Sequence, residues 1–230
     1  MTAEIDANKA QTGARRTVLL FVLIAAAAVA AGLWFGVATF RGLSGSTPLQ
    51  LQAGTLLPQP RALADFSLTD QDGRPFSLAN LRGHWTFLAI GYTSCPDICP
   101  MTLATLDALE GAIAKEYPRE GGQSHAQFLF ISVDPERDTP ERLAQYVRYF
   151  NPDFLGATGD DAQLRALAAQ LGVLYARVDG QDTAMGYLMD HSASILLLDP
   201  QGRLTAVFSA PHDADRIAAD FISIAANHPT

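Results

Sequence analysis

Cysteine is almost absent from this 230-residue chain, which has two, Cys95 and Cys99. That excludes a multi-disulfide framework and any zinc site built from four thiolates. Whatever the two thiols do, they do together. Basic residues are scarce as well, 16 Lys and Arg against 24 Asp and Glu. Only Glu4 and Asp6 among the acids precede Arg41, whereas Lys9, Arg15, Arg16 and Arg41 itself make up a quarter of the bases; beyond Arg41, 22 acidic residues stand against 12 basic ones, a net charge of about −10. Such a surface has no electrostatic footprint for nucleic acid. It favours a partner with a basic patch, mainly through association rate.

Charge is missing altogether from Thr17 to Phe40 (TVLLFVLIAAAAVAAGLWFGVATF). That run exceeds the roughly 20 apolar residues needed to cross a bilayer core. It also exceeds the ~7–15-residue apolar region of a cleaved signal peptide, and no convincing small-x-small cleavage site follows it. The expectation is a cytoplasmic N-terminus over 1–16 and a retained transmembrane anchor over 17–40, with Trp34 and Phe35 at the outer interface. Residues 41–63, rich in Gly, Ser, Pro, Gln and Leu, read as a tether, and 64–227 as an outer domain. Lys9, Arg15 and Arg16 ahead of the span put the N-terminus inside. Glu4 and Asp6 argue against a mitochondrial presequence, so a bacterial inner membrane with a periplasmic domain is expected.

The outer domain alternates strand and helix patterns. Asp65 to Leu78 alternates apolar and polar residues around Asp72-Gly73, a hairpin signature. Trp85 to Tyr92, Phe128 to Val133 and Ile195 to Leu198 are buried-strand runs, and Val173 to Val178 and Leu204 to Phe208 are further strands. Helices are predicted from Pro100, over Pro140 to Tyr149 (capped by Asp138 or Thr139), over Asp160 to Leu171 and over Asp213 to Ala226. This order argues an α/β fold with a mixed central sheet flanked by helices. Ligands of open sheets gather at the carboxyl ends of strands. Two such ends lead into Tyr92-Thr93-Ser94-Cys95 and into Asp134.

The motif GYTSCPDICP spaces its cysteines C-x-x-x-C, one residue wider than the usual redox dithiol. In an oxidising compartment the default for two cysteines is a disulfide. Soft thiolates also select Cu(I), and an added imidazole would let the site accept Cu(II). Metal binding, disulfide exchange and a structural disulfide all remain open from the pair alone. Pro100 disfavours an α conformation at Cys99, which suggests a loop capping the following helix. Asp134, Arg137 and Asp138 read as capping plus a local ion pair, with Asp134 alternatively tuning the site or docking a partner. His84, His125, His212 and His228 read as solvated surface, and Met101 and Met189 as filler rather than ligands. No motif of a peroxidase surrounds Cys95.

Four blocks carry a resemblance that covers roughly Phe66 to Phe221: the hairpin with FSLANLRGHW, GYTSCPDICP, ISVDPERDTPERL, and YLMDHSASILLLDPQGRL. On them the chain resembles the Sco/SenC family of thioredoxin-like copper proteins that assemble cytochrome c oxidase. The resemblance implies a thioredoxin-like fold and copper, Cu(I) or Cu(II), held by Cys95, Cys99 and His191. It further implies delivery to the dinuclear copper site of oxidase subunit II, with other copper chaperones or thiol-disulfide reductases as further partners. Where thioredoxin-like proteins usually place a proline ahead of the strand facing the dithiol, this chain has Ser192-Ala193-Ser194, which leaves room for an imidazole. Asp190 would orient that ring. The alternative is a periplasmic reductase using the Cys95–Cys99 pair as a redox-active disulfide.

Overall fold

The computed structural model describes residues 23–37, 49–116, 126–179 and 186–228. The chain divides into two units, Met1–Pro48 and Leu49–Thr230. In the first, residues 23–37 form a helix, α1, whose apolar side chains, Trp34 and Phe35 included, are exposed. The rest of the expected anchor, its flanking charges Lys9, Arg15, Arg16 and Arg41, and His125 lie outside the described residues. Among the described residues no helix is long and apolar enough to cross a membrane.

The second unit is built on an eight-stranded mixed sheet. Its strands are β1 (Gly54–Ala62), β2 (Leu68–Asp70), β3 (Pro75–Phe76), β4 (Trp85–Gly91), β5 (Ala126–Ser132), β6 (Leu155–Thr158), β9 (Ile195–Leu198) and β10 (Arg203–Phe208). The spatial order is β1-β10-β9-β4-β5-β6-β2-β3; β7 (Tyr175–Asp179) and β8 (Tyr187–His191) form a separate antiparallel pair. β4, β5 and β6 run parallel, and β9 lies antiparallel against β4. Every residue of β4 and β9 is buried, as continuous apolar runs require of strands covered on both faces.

Among the described residues, four α-helices complete the unit: α2 (Ile98–Glu116), α3 (Pro140–Phe150), α4 (Asp161–Leu171) and α5 (Ala214–Ala226). Helix α2 buries Leu103, Leu106, Leu109 and Ile113, the stripe its sequence spacing predicts, and packs against α5 and α3. Of the two candidate caps of α3, Thr139 does the work: its side chain accepts the N–H of Arg142, and Pro140 occupies the first turn. Phe87 stacks on Phe128 and Phe128 on Phe154, each pair with centroids 5.4 Å apart, so the core runs along β4 and β5. Burial of such rings dominates a core of this size, at about 25 cal/mol per Å² of apolar area removed from water.

Four expectations need correction. The tether ends earlier than residue 63, because 54–62 pairs with β10 as an edge strand. Pro58 and Pro60 disguise it, and both fall in the register shift between Leu56 and Arg61, where the ladder needs no donor. Helix α2 starts at Ile98, so Cys99 lies in its first turn; Pro100 is tolerated there because the first N–H groups of a helix have no partner within it. His228 is mostly buried, packed edge-on against Trp85 at 4.9 Å and 3.3 Å from the buried Asp199. His212 is half-buried, with Nε2 2.8 Å from the carbonyl of Ala193. His84 is exposed, as expected.

Candidate metal centre

Parallel strands β4 and β5 end side by side, and the N–H of Val133 extends their pairing by donating to the carbonyl of Gly91 at 2.9 Å. The loop leaving β4 carries Cys95, and the first turn of α2 carries Cys99. The backbone N–H of Cys99 points at Cys95 Sγ (3.4 Å), so the sulfur takes the place of a capping oxygen at the positive end of the helix. Both cysteines are buried and unbridged. Pro96 and Asp97, between them, are exposed, so Asp97 faces water.

The third donor arrives from the other side. His191 closes β8, and its Nε2 lies 3.2 Å from Cys99 Sγ. Its Nδ1 faces the carbonyl of Ser192 at 3.2 Å. A carbonyl oxygen only accepts, so hydrogen bonding assigns the proton to Nδ1 and leaves the Nε2 lone pair toward the sulfurs. Asp190, expected to orient the ring, is exposed, and the neighbouring carbonyl takes that part. Among the described residues Cys95, Cys99 and His191 form the one group of three such side chains whose donor atoms all lie within 4.8 Å of one another. Donor bonds of about 2.0–2.3 Å let a single ion bridge atoms so spaced with small adjustments. The set, two thiolates and an imidazole, suits a soft or borderline ion.

The electrostatics divide the thiols. Donation from the Cys99 thiol, with help from the backbone of Asp97 and Cys99, outweighs burial and lowers Cys95 to about 3. Cys99 moves upward, first because its proton is held by Cys95 and then because it is buried. The reduced pair therefore carries one negative charge shared between two sulfurs, a ready start for metal binding or nucleophilic attack.

The connection from β5 to α3 supports this arrangement. Asp138, 1% exposed, accepts from the Thr93 N–H (2.8 Å), the Thr93 hydroxyl and the Ser132 hydroxyl (2.5 Å each). Arg142 adds bonds to Thr93 Oγ1 and Ser94 Oγ at 2.8 and 2.9 Å. Asp134 ion-pairs with Arg137, the local pairing that the sequence suggests, and also accepts from the Tyr187 hydroxyl at 2.6 Å. Met189 is buried, as filler should be, whereas Met101 is half exposed. Sequence reasoning overlooked Gly91, although a glycine inside an apolar strand commonly marks a close approach. Here a β-carbon would overlap Cys99 Sγ and crowd Phe130 at 2.9 Å.

Comparison with known proteins identifies the family of the domain. The SCO1/SenC family model matches residues 55–226. A putative copper-binding protein of Stutzerimonas stutzeri is 38% identical over 160 residues, 70% of this chain and 75% of that protein. The mitochondrial SCO2 homolog of Bos taurus is 40% identical over 153 residues, 66% of this chain and 56% of that protein. Among solved structures, Arabidopsis thaliana ScoI with copper bound superposes with a TM-score of 0.66 at 33% identity, covering 72% of this chain and 98% of that one. The α/β domain with its mixed central sheet is thus the thioredoxin-like Sco fold. With nearly the whole of the Leu49–Thr230 unit matched, the chain belongs to the SCO1/SenC family.

Proposed function

We propose that this protein is a membrane-anchored copper chaperone which holds its cargo ion through Cys95, Cys99 and His191. It would deliver that ion to the dinuclear copper site of cytochrome c oxidase subunit II during oxidase assembly. The observation that carries this reading is the convergence of three donor atoms within 4.8 Å, brought from a loop, a helix start and a separate strand pair. The relatives described as copper-binding or solved with copper bound support it. Two thiolates satisfy Cu(I), and His191 extends the set to Cu(II). Release follows by exchange of ligands: a partner's thiolates attack an incompletely filled coordination shell while Cys95 and Cys99 let go in turn. The uncharged run 17–40 supports anchoring, with the acidic domain on the periplasmic side of a bacterial inner membrane.

The test is titration of the reduced full chain with Cu(I) and Cu(II). One equivalent of each is expected to bind, with sulfur-to-copper charge-transfer absorption in the Cu(II) form. Cys95→Ala and Cys99→Ala should abolish tight binding of both ions, and His191→Ala should weaken Cu(II) about 10-fold or more. A His191→Ala variant that holds Cu(II) as the parent does would sink the three-donor reading.

A second reading is favoured by the depressed Cys95 thiol. As a reductase of partner cysteines, the Cys95 thiolate would attack a partner disulfide and form a mixed disulfide. The Cys99 thiol would then resolve it, leaving the Cys95–Cys99 disulfide and a reduced partner. Two electrons move, and an external dithiol must restore the pair. Rapid reduction of a disulfide substrate by the copper-free protein would favour this activity.

A further inference from the structure

The thiols belong to the main body of the domain, but the imidazole does not. His191 sits on the β7–β8 pair, which bonds to no other strand among those described. A lone two-stranded ribbon is marginal in water. Its hold on the body therefore decides where the imidazole rests.

Side chains alternate along a strand, so Tyr187, Met189 and His191 share one face of β8. That face looks inward: Met189 is buried in the middle, His191 meets Cys99 at one end, and Tyr187 meets the β5–α3 connection at the other. Tyr187 is gripped there by its hydroxyl, its carbonyl and its ring. Its hydroxyl donates to Asp134 at 2.6 Å, and its carbonyl accepts from Arg137 Nη1 at 3.0 Å. Two guanidinium groups lie over its ring, Arg137 at 3.6 Å and Arg177 at 3.8 Å. Arg177 is tied in turn to Glu136 at 2.9 Å. Arg137 also reaches the Tyr92 ring at 5.5 Å, and that ring stands edge-on to the His191 imidazole at 5.9 Å. The same short connection fixes the thiol side, because Asp138 holds Thr93 just ahead of Cys95.

We propose that Tyr187 is a positioning residue, whose clamp by Asp134, Arg137 and Arg177 holds the β7–β8 ribbon so that His191 meets the thiol pair, and thereby sets the preference for Cu(II) over Cu(I). This rests on the reading of His191 as a copper donor. The chemistry gives the clamp its leverage. Two thiolates suffice for Cu(I), whereas Cu(II) needs the imidazole as well. Loosening the ribbon therefore weakens one ion and spares the other.

The experiment compares the reduced full chain in detergent with Tyr187→Phe, which keeps the ring under both guanidinium groups, and with Tyr187→Ser, which loses ring and hydroxyl. Tyr187→Ser is expected to lower Cu(II) affinity about 10-fold or more, with loss of imidazole nitrogen coupling in the Cu(II) electron paramagnetic resonance spectrum. Cu(I) affinity should stay within about 3-fold of the parent, and Tyr187→Phe should fall between, because only one contact of the clamp is lost. Equal losses for both ions, or unchanged Cu(II) affinity in both variants, overturn the proposal. A metal-free reading stands beside it: the His191 ring resonances of the reduced apoprotein should move toward those of a free imidazole in Tyr187→Ser. Unmoved resonances also overturn it. Should the parent bind no copper at all, the chaperone reading fails, and these resonances still decide whether Tyr187 positions the ring.

Discussion

The Cys99 sulfur fills the space beside Gly91 that a side chain would need: a β-carbon on the last residue of β4 would overlap that sulfur and sit 2.9 Å from the Phe130 ring. The strand end and the helix start approach so closely that only a hydrogen fits between them. Gly91→Ala should therefore push Cys99 Sγ away from Cys95 and His191. Overpacking of this kind costs about 1–3 kcal/mol. Denaturant unfolding of the reduced apoprotein should register that loss. Competition against a Cu(I) chelator should show weaker binding than any comparable glycine substitution at the exposed Gly73 turn.

The split between the two thiols predicts an unusual pH profile. Cys95, lowered to about 3, stays a thiolate in mildly acidic solution, while Cys99 keeps its proton. Brief treatment of the reduced apoprotein with iodoacetamide at pH 5 should label Cys95 and leave Cys99, as peptide mapping would reveal. The sign of the linkage follows. An unfolded cysteine titrates near 8.5. The depressed Cys95 thus contributes stability that is full above that value and disappears as pH falls through about 3. Cys99, raised, contributes stability that is full below about 8.5 and declines as pH climbs above it. Reduced apoprotein should lose stability at both extremes, and a Cys99→Ala variant should lose the low-pH reactivity of Cys95 because its chief donor is gone.

What could be read from the residues alone divides along physical lines. Continuous apolar runs such as Trp85–Gly91 and Ile195–Leu198 announced the central strands, because burial on both faces leaves a strong signal. Cys95 and Cys99 stood out as the chain's two cysteines, whereas His191, one of five histidines, was singled out through the Sco/SenC resemblance. β8 escaped notice since its inward face mixes a phenol, a thioether and an imidazole, which breaks the alternation that marks a strand. β1 was hidden by two prolines that an edge strand with a register shift can accept. The roles of Tyr187 and Asp138 depend on contacts between distant segments, Asp134 with Tyr187 and Thr93 with Asp138, and that of Gly91 on a single missing β-carbon, and neither leaves a local pattern.

Asp138 offers a test of how much the cysteine loop depends on its support. Its carboxylate is the acceptor for one backbone and two hydroxyl donors, all at 2.8 Å or less. Asp138→Ala leaves those donors without it, at a cost of about 1–3 kcal/mol for a buried group left unsatisfied. Loss of such a support commonly reduces metal affinity about 10–100-fold. Both effects are expected, the first in denaturant unfolding and the second in Cu(I) competition. Asp138→Asn, which retains one carbonyl oxygen, should lie between the parent and alanine in both.

Asp220 supplies the contrasting case, a buried carboxylate with no part in the metal site. From α5 it accepts the N–H groups of Gln52, Ala53 and Gly54 at 2.7, 2.8 and 3.0 Å, fastening the chain where it enters β1. Three donors on one carboxylate outweigh a single neutral bond, since charge-assisted bonds are roughly twice as strong. Asp220→Ala should therefore destabilise the domain by about 1–3 kcal/mol, and amide exchange at residues 52–56 should quicken well beyond that of the central strands. Copper affinity should stay at the parental level, because none of those amides touches Cys95, Cys99 or His191. If affinity falls with stability in this variant as it does in Asp138→Ala, then global loosening explains both, and the special connection between the β5–α3 segment and the cysteine loop is refuted.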